Sequence, residues 1–239
     1  MKMTYHLLWE GPSALDGSPI ALVAGVGSQN GKTGNMAQVY IIRNDIHPQD
    51  AIESGADESI CGSCRFRGKK GKGRTCYVVL MHGTYQVWDA KQKGEWIPTP
   101  NRRRFGKGKK IRCGTYGDGA MVPFEIWQEL LEFSAGHTGY THQWRTCDQR
   151  FKDILMASCD YLGDYHDAKA LGWKTYRAKL PGEPRMPGER PCPADKATGV
   201  TCADCLGCNG QRRDFTIDIH GTVGNINRYR EFRMTLETP

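Results

Sequence analysis

Seven of the ten cysteines fall into two closely spaced sets, and any fold of this chain has to accommodate them. Cys61, Cys64 and Cys76 read C-x2-C-x11-C, and Cys192, Cys202, Cys205 and Cys208 read C-P-x8-C-x2-C-x2-C. Thiols two residues apart across a tight turn face the same side, so both sets suit ligation of an inorganic centre. Disulfides are the competing use. The N-terminal stretch MKMTYHLLWEGPSAL has one early lysine and a short apolar patch broken by Glu10, not the sustained apolar region and small-residue cleavage site of a signal peptide. A cytoplasmic location is expected, and there thiols stay reduced, so metal explains the cysteines better than cystines do.

The second set is a complete four-thiolate donor group. Cys202, Cys205 and Cys208 in unbroken succession, with the distant Cys192-Pro193, resemble the ligand run of bacterial ferredoxins. A 4Fe–4S cluster is the preferred occupant and zinc the alternative, because zinc usually takes paired C-x2-C knuckles. The first set offers three thiolates. Either a fourth donor joins it, with Cys113, His82 and Asp118 as candidates, or one metal position stays open for a small molecule. The chain thus calls for one or two clusters.

At 239 residues, with 38% hydrophobic and 25% charged residues, the chain suits a soluble protein with one core and a small appendage. It holds no apolar run of the roughly 20 residues needed to span a bilayer, so no membrane partner is expected. The net charge of +7 is local in origin. From Arg65 to Arg112, fifteen lysines and arginines face only two acids, Asp89 and Glu95. The basic residues concentrate at 65–74 and 101–112, two Gly-rich tracts that read as loops. Nucleic acid or another phosphate-rich substrate would explain them, as would plain solvation.

Runs rich in branched and aromatic residues predict strands at 19–27, 38–43, 110–116, 139–144, 154–158, 173–178 and 215–220. Helices are predicted within 77–93, after Pro123, and over the DYLGDYHDAKALG stretch ending at Gly172. Gly31-Lys32-Thr33 is no phosphate loop, since Val26 stands where that motif needs glycine. The alternation predicts an α/β fold with parallel strands: a partial or open (βα) barrel of about six strands, resembling an incomplete TIM barrel, with a cysteine-rich metal-binding insertion near the C-terminus. The expected organisation is a main domain over 1–179, a cluster segment over 180–213 stabilised by metal, and a last strand and tail over 214–239 that complete the main domain.

Chemistry in such folds gathers beyond the carboxyl ends of the strands. Those ends supply Gly117, Asp118 and Gly119, then His142, Asp160 and Arg177, the candidate cofactor-binding residues. Three cysteines in the loop after the first parallel strand, with an open metal position, resemble the radical S-adenosylmethionine superfamily. There such cysteines hold a 4Fe–4S cluster whose fourth iron binds the amino acid end of S-adenosylmethionine, and electron transfer yields a 5′-deoxyadenosyl radical. The resemblance rests on topology and ligand count. The superfamily spacing is usually C-x3-C-x2-C, and its GGE turn is replaced here by Gly117-Asp118-Gly119. It implies S-adenosylmethionine as cofactor, an electron donor as partner and an auxiliary cluster in the second set. Separately, the strings CGSC, GTYGDGA, TGYTHQW, ALGWKTYRA and CADCLGCNG resemble a cysteine-motif protein family carried by phages and plasmids, which implies a bacterial host cytoplasm and no settled activity. Two functions follow as expectations: an iron–sulfur enzyme of radical S-adenosylmethionine type acting on a nucleotide or nucleic acid, or a non-catalytic nucleic-acid-binding protein with structural iron–sulfur or zinc sites.

Overall fold

The computed structural model describes residues 3–28, 30–67, 74–194 and 198–237. Its frame is a single open sheet. The strands are β1 (Thr4–Pro12), β2 (Pro19–Val26), β3 (Ala37–Arg43), β4 (Trp96–Pro98), β5 (Lys110–Tyr116), β6 (Gly136–Thr141), β7 (Met156–Cys159), β8 (Thr175–Lys179), β9 (Arg190–Pro191) and β10 (Phe215–Asp218). The helices are α1 (Pro48–Ser54), α2 (Glu58–Cys61), α3 (Thr84–Gln92), α4 (Arg102–Gly106), α5 (Phe124–Leu131), α6 (Leu162–Ala170), α7 (Cys202–Cys205) and α8 (Val223–Glu237). The ten strands lie in the order β4-β1-β2-β3-β5-β6-β7-β8-β10-β9.

The six strands expected from Gln38 onward are all present. β3, β5, β6, β7, β8 and β10 run parallel and adjacent in chain order. They belong to a larger mixed sheet that does not close. β2 runs antiparallel to both its neighbours, β1 and β3, and short β4 and β9 guard the edges. β1 escaped the sequence reading although its hairpin signal is legible: Asp16-Gly17 marks the turn, with Gly17 at φ 74°. α8 also escaped it. Its polar composition hides a narrow buried stripe of Ile226, Tyr229 and Arg233.

Side-chain alternation gives the parallel strands two different faces. Ile111 and Cys113 of β5 and Ala157 and Cys159 of β7 enter the main core with Trp127 and Leu130 of α5 and Ala168 of α6. The intervening residues face a cavity. β5 is bulged in the middle: Gln38 pairs with Arg112 and Tyr40 with Tyr116, so four steps on β5 match two on β3. Gly114, at φ 73°, permits this; a Cβ there would lie 2.8 Å from the Gly117 carbonyl oxygen. The buried tryptophans each find an acceptor, Trp127 on the Gly119 carbonyl at 2.8 Å and Trp144 on the Ser158 carbonyl at 3.0 Å.

The Pro- and Gly-rich stretch after β8 is tied back by charge. Arg177, fully buried on β8, donates from Nε and Nη2 to the two carboxylate oxygens of buried Glu189, at 2.8 and 2.7 Å. Glu183 lies 3.5 Å from Arg177 and also pairs with Arg233 of α8 at 2.9 Å. Truncating one member of such a buried pair strands the other charge. Arg177→Ala should lower stability by about 3–5 kcal/mol in urea denaturation, whereas Arg103→Ala, at an exposed pair with Glu132, should leave the midpoint unmoved.

Candidate metal centres and cavity

The first cysteine set sits at the carboxyl ends of the strands. After β3, α1 starts at Pro48 behind its N-cap His47 and stops at Gly55, φ 82°. α2 then carries Cys61 and stops at Gly62, φ 54°. Gln143, just beyond β6, fixes this corner. Its Nε2 donates to the Cys61 carbonyl at 3.2 Å and to Asp118 Oδ2 at 3.3 Å, and its Oε1 accepts from Ser63 N at 3.2 Å. A Cβ on Gly62 would meet the Gln143 amide at 2.5 Å, so glycine is required both for φ and for space. Residues 68–73 lie outside the described residues, but the chain returns beside its departure point: Cys76 N donates to the Phe66 carbonyl at 2.9 Å. Arg67 is held by Asp57 at 2.7 Å and Glu58 at 2.6 Å, and Phe66 stacks on Tyr229 of α8 at 5.6 Å.

Cys61, Cys64 and Cys76 all line one cavity of about 670 Å³. They lie close enough to perturb one another. Burial pushes the Cys61 thiol well up, and Cys64, Asp57, Cys76 and Asp118 add to the effect. Burial also raises Cys76, against the pull of Arg74. His142 follows β6 and stands 3.4 Å from Asp160. Burial alone would lower its pKa, but Cys64 and Asp160 prevail and raise it well above the ordinary imidazole value.

The second set lies toward the amino ends of the same strands. α7 is closed by a capping box between Thr201 and Asp204. It docks through Cys202 N and Ala203 N on the Lys32 and Thr33 carbonyls at 2.9 and 3.1 Å, and Lys110 donates to the Ala203 carbonyl at 2.8 Å. The Cys208 carbonyl accepts from Gly139 N at 2.9 Å. Burial pushes the Cys208 thiol up to about 12, with Cys192, Cys202 and Cys205 reinforcing it, so all four thiols share one neighbourhood. Cys192 and Cys202 line the same cavity as the first set. Tyr140 and Tyr176, with ring centroids 4.6 Å apart, pack beside Cys205 and Cys208.

All ten cysteines are free thiols. Among the described residues, no group of three or more His, Cys, Asp or Glu side chains stands in an arrangement that could hold a metal ion. Comparison with protein-family models, with curated proteins and with solved structures produced no match. Among the described residues, no helix is long and apolar enough to cross a membrane.

The other sequence expectations divide. Asp118 is buried at the first set, where it accepts from His142 N at 2.7 Å and Ala120 N at 3.0 Å. Gly117 (φ 80°) and Gly119 complete its turn; a Cβ on Gly117 would meet Ile41 at 2.7 Å. His82 lines the cavity mouth, exposed. Two expectations are corrected. Cys113 belongs to the main core, because strand alternation sends Arg112 and Gly114 to the cavity and Cys113 away from it. Arg177 likewise points away and is spent on Glu189, so it contacts no cavity ligand. The basic tracts are partly consumed inside the fold. Arg65 pairs with Asp164, Arg67 with Asp57, Arg102 with Glu129 and Arg103 with Glu132, while 68–73 lie outside the described residues. Sequence reading missed Gln143 as the brace of the first set. It also missed the inward residues Tyr40, Arg112, Tyr140 and Tyr176, whose signal is the period-two alternation within strands already recognised.

Cys147 belongs to neither set. Burial, with Asp118 adding, pushes its pKa up from 9.0 to about 12. It should resist iodoacetamide at pH 8 and label faster only as pH climbs toward 12. Between those two pKa values the unfolded thiol ionises while the folded one keeps its proton, so this group makes stability fall as pH rises through the window. Rapid labelling of the native protein at Cys147 at pH 8 would contradict the assignment.

Proposed function

We propose that this protein is an iron–sulfur enzyme resembling the radical S-adenosylmethionine superfamily, its six parallel strands acting as a partial barrel. The observation that carries the reading is the placement of Cys61, Cys64 and Cys76: they follow the first of six sequential parallel strands and open on a cavity at the strands' carboxyl ends. The donor chemistry fits. Buried thiols that raise one another's pKa beside Asp57 and Asp118 are an unfavourable set unless they stay protonated or a cationic centre gathers them. Among the described residues these side chains do not stand as a metal site, so a cluster, or a zinc ion at the second set, would have to draw the thiols together.

In this reading Cys61, Cys64 and Cys76 hold the reactive cluster, and Cys192, Cys202, Cys205 and Cys208 hold an auxiliary one, with zinc as the alternative there. When bound, the first centre supplies one-electron reductive cleavage of S-adenosylmethionine, for which an external electron donor is needed. The chain's own groups do the rest. Gln143 and Asp118 fix the loop that carries Cys61. Phe66 and Tyr229 hold the far side of the loop near Cys76. His142, held by Asp160, places a proton next to Cys64.

Anaerobically purified protein should be brown and contain iron and sulfide. Joint replacement of Cys61, Cys64 and Cys76 by serine should remove one centre and leave the other, and should abolish 5′-deoxyadenosine release from S-adenosylmethionine by reduced protein. Colourless protein carrying only zinc, or iron-loaded protein that releases none, would reject the reading.

A further inference from the structure

Two buried hydroxyls on the cavity lining have no hydrogen-bond partner, Thr84 Oγ1 and Tyr116 OH. Thr84 is fully buried and Tyr116 is 2% exposed. An unpaired buried hydroxyl costs about 1–3 kcal/mol, so two of them beside one cavity call for a shared ligand. Tyr40 adjoins the two segments that carry them. Tyr40 pairs with Tyr116 across β3 and β5, and the Tyr40 hydroxyl lies 2.7 Å from where a Cβ of Gly83 would be. Gly83 is the N-cap of α3, and no side chain caps that helix. The first amides of α3 therefore remain as free donors with the positive end of the helix dipole behind them.

A cation lines the same cavity. Arg74 lines the cavity, donates to the Val78 carbonyl at 2.8 Å, and has no carboxylate within ion-pairing distance among the described residues. Burial raises the Tyr116 pKa, Cys61, Asp57 and Cys76 add to the rise, and Arg74 opposes it. Asp57, an acid that feels Arg74, is already held by Arg67 at 2.7 Å. A guanidinium, an uncapped helix start and two idle hydroxyls together offer more donors than a carboxylate's two oxygens use, and they suit a tetrahedral oxyanion.

We propose that the N-terminus of α3, with Thr84, Tyr116 and Arg74, is a phosphate seat for the substrate, beside the first cysteine set. This deepens the enzyme reading by making the substrate a phosphorylated molecule. The seat itself does not depend on the metal. A phosphate held there directs the attached organic part into the cavity between the two cysteine sets.

The test is calorimetric titration of the full-length, metal-loaded protein with inorganic phosphate and with pyrophosphate, with metal content measured on the same sample. Saturable binding is expected, pyrophosphate being the tighter. Arg74→Gln should weaken it about tenfold, which is about 1.4 kcal/mol. Thr84→Val, which keeps the shape and removes the hydroxyl, should weaken it severalfold without lowering the melting temperature of the phosphate-free protein. Arg112→Gln, at the other end of the cavity, should bind as wild type does. Absence of saturable binding overturns the proposal. So does loss of binding in Arg112→Gln but not in Arg74→Gln, and so does displacement of phosphate by S-adenosylmethionine, which would give the seat to that molecule's carboxylate. Binding that follows Arg74 in protein containing zinc but no iron supports the seat and rejects the cluster reading, so the two failures are distinguishable.

Discussion

The period-two alternation of six parallel strands is the constraint on which the rest depends. In β5 alternate side chains divide between the helix-covered core and the cavity, with Tyr116 bordering both. Once Ile111 and Cys113 are buried under α5, Arg112 has no choice of side. The bulge at Gly114 preserves this assignment while letting β5 curve against β3. The strand ends then fix where loops leave and return, and both cysteine sets sit on such loops. Their convergence is a consequence of the sheet, because the main core holds neither set together as a unit.

The two ends of the cavity differ in how they are held. At the carboxyl ends the supports are polar and specific. Gln143 bridges the Cys61 carbonyl, Ser63 and Asp118, and Arg67 binds Asp57 and Glu58. At the amino ends the second set rests on small apolar clusters, Met36 with Ala203 and Met156 with Phe215, and on backbone bonds to Thr33 and Gly139. The buried Arg177–Glu189 pair secures the chain between β8 and that second set. Burial raises the pKa of Cys61 and Cys76 at one end and of Cys202 and Cys208 at the other, which disfavours their thiolates.

Much of the fold was legible because long apolar runs bounded by glycine and proline are strong local signals. The six parallel strands and the helices after Pro123 and before Gly172 fall at or near their expected places. β6 is the instructive displacement. The run 139–144 reads as a strand, but the ladder spans Gly136–Thr141, and His142 and Gln143 leave it to serve the first cysteine set. β1 and α8 were missed for opposite reasons, one behind a ten-stranded architecture larger than the alternation implied, the other behind a polar surface. The basic tracts misled in part, since a count of charges does not say which of them already have acids at hand.

By itself, the sequence determined the element types, the parallel order of the strands and the grouping of cysteines, because spacing and periodicity are local properties of the chain. Only the tertiary structure decided that both sets face one cavity from opposite ends. It also decided that Cys113 and Arg177 point away from that cavity, and that Thr84 and Tyr116 are left without partners beside an uncapped helix. Those facts depend on which strand lies next to which and on the phase of each within the sheet, and a one-residue change of phase would reverse every one of them.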